Sequence, residues 1–213
     1  SEMCIRDSLY GVQTLRGIQN FEISKFHLYD YPLFIKGLAI TKMAAARANY
    51  DLGLLTKEQA DAIEQACQEL IDGKFRDQFK VDMIQGGAGT STNMNANEVI
   101  TNRALIIMGH KPGEYQYLSP NDHVNCAQST NDAYPTAIHI GMYYTHLRFL
   151  EHYDKIIKAF EEKGEEFKNI LKIGRTQLED AVPMTLGLTF SGFASILKDE
   201  ICLLYTSDAA DDK

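Results

Sequence analysis

At 213 residues the chain can hold one large domain or two small ones. Its 45% apolar and 23% charged residues are ordinary for a globular protein that buries a real core. The net charge of -8, with basic residues scattered among acids rather than clustered, argues against a nucleic-acid partner, and no apolar run approaches the roughly 20 residues of a membrane-spanning helix.

In chain order, helix signals dominate. Pro32 opens a segment to about Leu52 with Gly53 placed to end it, since proline suits a first turn and glycine the position past the last. Thr56 and Gln59 have the spacing of a capping box; Ala60, Ile63, Ala66, Cys67, Leu70 and Ile71 then recur at helical intervals up to Gly73. A further helix fits Asn95–Met108. The longest signal runs from about Pro135 to Asn169, on the order of 50 Å at ~1.5 Å per residue. Its apolar stripe, Ile138, Met142, Thr145, Phe149, Tyr153, Ile156, Ile157 and Phe160, needs neighbours along most of its length, which is a first hint of an oligomer. Strand signals are confined to Phe79–Ile84 and Ile170–Ile173, and a last helix covers Phe193–Ile201.

The expected fold class is all-α, with an N-terminal helical domain over residues 9–130 and the start of a long central helix bundle over 131–201. Residues 1–8 and 202–213 lack helical periodicity and are expected to be non-native tails. The cysteines, Cys4, Cys67, Cys126 and Cys202, form no Cys-x-x-Cys pair and stand at no metal spacing with a His, so free thiols in a reducing cytosol are expected. The N-terminus lacks a secretory layout, and a cytoplasmic location follows.

Three polar loops carry the chemistry. Gln85–Asn95 contains Gly86, Gly87, Gly89, Thr90 and Asn93; glycines let a backbone approach a ligand, although taken alone the stretch reads first as a plain turn and helix cap. It lacks the Gly-Lys-Ser/Thr ending of a phosphate-binding P-loop. Gln128-Ser129-Thr130-Asn131-Asp132 offers four capping residues where one suffices, and the surplus suggests a cradle for a carboxylate. Gly174–Met184 sets Arg175, Thr176 and Gln177 ahead of Glu179 and Asp180, where a salt bridge is as fitting as a catalytic role.

Together with Tyr10–Arg16 and Ser119–Asn125, these loops resemble the aspartase/fumarase superfamily from about Tyr10 to Ile201, in order and spacing. Lys111–Leu118, Thr130 beside Ser129, and Gln177 are similar to the aspartase branch, whereas Ser119 stands where fumarases carry a His of a secondary carboxylate site. The resemblance implies a homotetramer that eliminates ammonia from L-aspartate to give fumarate, without cofactor or metal. It implies substrate binding by Thr90, Ser129, Thr130, Asn131 and Thr176, supported by Gln177, Asn93 and His123. The family's base, a serine in a Gly-Ser-Ser loop, has no counterpart in these residues, so no catalytic residue is assigned and the chain alone is expected to be inactive.

Other features read as bland. His139, His146 and His152 are spaced by seven and six on the long helix, not the four of a helical metal pair, and read as surface or interface residues. His123 reads as a structural hydrogen-bonder before a catalytic group. Two alternatives stay open: fumarate hydration on the same fold, and a catalytically silent helical scaffold.

Overall fold

The computed structural model describes the backbone of residues 8–209 and the side chains of residues 8–201. Most of the expected tails, residues 1–7 and 210–213, lie outside this range. The chain divides into two compact units, one up to Thr145 and one from His146 onward.

The first unit is helical. α1 (Val12–Asn20), α2 (Pro32–Asp51), α3 (Lys57–Ile71) and α4 (Thr90–Ile107) are followed by a π-helical turn (Pro120–Val124) and the start of α5 (Thr130–Glu166). α2 packs on α3, α3 on α4, and α1 on α4. The core between them contains Leu38, Ile63, Cys67, Phe79, Val99, Ile100 and Leu105. The capping box before α3 forms as its spacing requires: Thr56 Oγ1 accepts from the Gln59 amide, and Gln59 Oε1 from the Thr56 amide.

α4 is buried nearly all round, yet much of its surface is polar. Its side chains tie down surrounding loops. Glu98 accepts from the amides of Gly11, Gln13 and Thr14 and from the Thr14 hydroxyl, anchoring the start of α1. Asn95 donates to the Gln78 carbonyl; Asn102 donates to the Leu9 carbonyl and accepts from the Gly113 amide. Buried backbone groups need partners, and here a helix supplies them from its flanks.

The second unit contains the rest of α5, a hairpin of β1 (Leu171–Thr176) and β2 (Glu179–Thr185), and α6 (Leu186–Ala209). Phe160, Phe167, Phe190 and Phe193 form an aromatic cluster within it.

Several boundaries differ from expectation. α4 begins at Thr90 rather than Asn95, because Gly89 turns the chain at φ 88° and Gln85 caps the helix through Thr92. α5 begins at Thr130 rather than Pro135; the cap is Ser129, and Pro135 lies inside the helix as its sixth residue, where its missing N–H leaves the Asn131 carbonyl without that intrahelical donor. α1 carries no strong local signal, since its anchor, Glu98, lies far away in sequence. Gly174–Met184 is a paired hairpin, not a loop, and Pro183 lies in β2 opposite Ile173 instead of opening a helix. Phe79–Ile84 makes a bridge from Asp82 to His27 but no full strand. α6 extends from Leu186 past Ile201 to Ala209; the added stretch, residues 202–209, contains no glycine or proline to break it. The all-α class holds, with the hairpin as the one sheet among the described residues.

Candidate functional site

Ser129 is the N-terminal cap of α5. Its Oγ accepts from the Asn131 amide at 3.2 Å, while its own amide donates to Asp132 Oδ2 at 3.0 Å. The cap uses a lone pair of the hydroxyl and leaves its proton available to an acceptor. Thr130 is half-buried and Asn131 exposed on the first turn. Both therefore stand where the helix presents unsatisfied amides and favours negative charge.

Asn93, on α4, is 1% exposed and sends Nδ2 to Asn125 Oδ1 at 3.1 Å and to Thr130 Oγ1 at 3.4 Å. The α4 start and the α5 start are thus linked by side chains. Thr90 is the first residue of α4 and is exposed. The Gly-rich turn before it packs against Tyr134: a Cβ on Gly89 would lie 2.3 Å from that ring. Tyr134 makes an edge contact with Phe34 of α2, and burial raises its pKa.

Beneath this arrangement lies Lys42, whose side chain is fully buried on α2. Its amino group donates to Asn125 Oδ1 at 2.9 Å and to Gln128 Oε1 at 3.0 Å, both neutral amide oxygens. Asn125 Oδ1 also accepts from Asn97 at 3.2 Å, so three donors converge on it. Asn125 Nδ2 and Gln128 Nε2 then bond backbone carbonyls of Gln128, Val124 and Cys126, fixing the segment that leads into Ser129. Burial pulls the Lys42 pKa down to about 7, slightly opposed by the neighbouring Cys67, whose own thiol burial pushes up to about 12.

His123 does structural work: its Nδ1 accepts the Ser119 amide at 2.8 Å within the π-helical turn, and the Ser119 hydroxyl caps the same turn through Asp122. Thr176 and Gln177 belong to the second unit. Thr176 ends β1 opposite Glu179, and Gln177 and Leu178 form the tip, both at positive φ (49° and 67°). Arg175 lies 3.9 Å from Asp180 with both side chains exposed, a pair that adds little. Among the described residues, no group of three or more His, Cys, Asp or Glu is arranged to hold a metal, and no helix is long and apolar enough to cross a membrane.

Lys42, Asn97, Asn125 and Tyr134 were not singled out from the sequence. Lys42 did leave a signal: a lone charge in the row Ile35, Leu38, Ala39, Lys42, Ala46, Asn49, where every neighbour on that face is buried. A lysine at a core position is rare without a purpose.

The comparisons agree with the motifs. The lyase family model matches residues 4–208. An aspartate ammonia-lyase of Pseudomonas canavaninivorans is 58% identical over 197 residues, 92% of this chain and 42% of that protein. A fumarate lyase:delta crystallin from Brucella melitensis, solved bound to cobalt, matches with a TM-score of 0.91 at 48% identity, covering 96% of this chain and 44% of that one. A class II fumarase from Schistosoma mansoni matches with a TM-score of 0.79 at 37% identity, covering 91% of this chain and 40% of that one. The chain thus spans less than half the length of each of these relatives. With a family match over nearly all its residues and the same helical scaffold as solved lyases, the chain belongs to the lyase family, within the aspartase/fumarase superfamily.

Proposed function

We propose that this chain is the N-terminal part of an aspartate ammonia-lyase, which eliminates ammonia from L-aspartate to give fumarate. The observation that carries the reading is the identity of 58% with a protein of that name, against 37% with a fumarase. In this reading residues 9–130 are the N-terminal domain and α5 and α6, over 131–201, begin a bundle completed by further sequence and by three other copies.

The chemistry explains the kind of side chain found at the helix starts. Removing a proton from Cβ, beside a carboxylate, puts a second negative charge on a group already anionic. The barrier falls only if fixed donors are aimed at that carboxylate before the charge develops. Thr90, Ser129, Thr130 and Asn131, with Thr176 of the second unit, are neutral side chains that donate to the carboxylates and accept from the amino group, the family's site gathering such loops from different subunits; the start of α5 adds its amides. Gln177, Asn93 and His123 support them, His123 by shaping the turn that precedes the cradle. The base comes from a serine loop outside these residues, so the 213-residue chain is inactive by itself.

The test is an assay of the complete gene product with L-aspartate and with L-malate, followed by fumarate absorbance. Turnover of aspartate is expected, with Ser129→Ala lowering kcat on the order of 100-fold. Turnover of malate alone would assign fumarate hydration instead. Fumarate formation by the 213-residue chain would refute its inactivity.

A further inference from the structure

We propose that Lys42 is a positioning residue for the substrate cradle, its buried amino group clamping Asn125 and Gln128 through two N–H donors and so fixing the backbone that presents Ser129, Thr130 and Asn131. The inference rests on the functional reading above for its kinetic consequence, but its structural content is independent of it. A fully buried amino group is costly unless its donors are used, and here they meet two amide oxygens of one short segment, at 2.9 and 3.0 Å. A purely structural position would be filled more cheaply by an apolar residue, as it is at Ile35 and Leu38 of the same helix face. A second side chain of α2 reaches the same segment: Asn49 Nδ2 donates to the Cys126 carbonyl at 3.0 Å. α2 therefore grips residues 125–128 at two points, and from there Asn125 continues through Asn93 to the Thr130 hydroxyl. Lys42 touches none of the residues assigned to substrate and acts on them through Asn125 and Gln128.

The test uses the complete protein. Lys42→Met keeps the volume of the stem and removes the amino group. The expected result is an assembled, folded protein whose kcat on L-aspartate falls about 100-fold, the scale set by displacing reacting groups by ~1 Å. KM should change far less. Gln128→Met should give a similar loss, and the double variant should be no worse than Lys42→Met, because the two act as one unit. If Lys42→Met fails to assemble, Gln128→Met carries the same comparison. Amide hydrogen exchange supplies a readout free of any substrate: residues 125–132 should exchange at least tenfold faster in Lys42→Met while α3 stays protected. Activity within threefold of the parent, additive losses in the double variant, or unchanged exchange at 125–132 would each overturn the proposal. A parent inactive on both aspartate and malate would count against the functional reading alone, and the exchange result would still decide the clamp.

Discussion

Two buried charges, Asp82 and Lys42, show how single residues shape this protein with opposite signs. Burial alone would raise the pKa of Asp82, but the amides of Ile84, Ser24 and Ile23 and the Ser24 hydroxyl all donate to it and together hold it down to about 2. Because the folded value lies below the ordinary 3.8, the stabilisation is complete above that pH and is lost as pH falls through about 2. Asp82→Ala should cost about 1–2 kcal/mol, since it removes the acceptor of three partly exposed amides that water can reach, and should flatten the acid limb of a urea-midpoint profile. Lys42 has a folded value of about 7 against an ordinary 10.5. Between those limits the unfolded chain binds the extra proton, so this residue makes stability rise with pH. Lys42→Met should abolish that rise, measured as denaturation midpoints at pH 7 and pH 10.

At the scale of elements, the helix starts depend on close fits rather than on propensity. Gly89 adopts φ 88° directly under the Tyr134 ring, where a Cβ would sit at 2.3 Å. Gly89→Ala should destabilise the first unit by about 2–3 kcal/mol, combining the left-handed backbone with overpacking. In a Tyr134→Ala background the penalty should shrink to the backbone part, about 1 kcal/mol, by double-mutant denaturation. The same helix start shows why boundaries were harder to read than helices: Asn95 looks like a beginning because Gly86–Asn93 looks like a loop, and only the distant Tyr134 and the local cap from Gln85 decide otherwise. The hairpin gave even less warning. Its strands are exposed, with no alternating pattern, and its tip places Gln177 and Leu178 at positive φ where Asn-Gly would be the usual choice.

At the scale of the molecule, the long helix leaves much apolar surface uncovered. Met142, Phe149 and Ile156 are each about half exposed (49%, 46% and 49%), and Ile173, Val182 and Leu188 are exposed in the second unit. Such surface is seldom left to water. The isolated 213-residue chain should therefore self-associate with concentration in sedimentation velocity; a monodisperse monomer at high concentration would contradict this. The sequence by itself determined the helical class, the capping box at Thr56, the long α5 and the motifs at Thr90, Ser129 and Thr176, because caps, periodicity and motif spacing are local properties. Only the tertiary structure decided that Glu98 anchors α1, that Gly174–Met184 pairs as a hairpin, and that Lys42 lies under the α5 start. Those facts depend on residues more than eighty positions apart, or on pairing across a turn, and a buried charge declares its purpose only once its partners are in place.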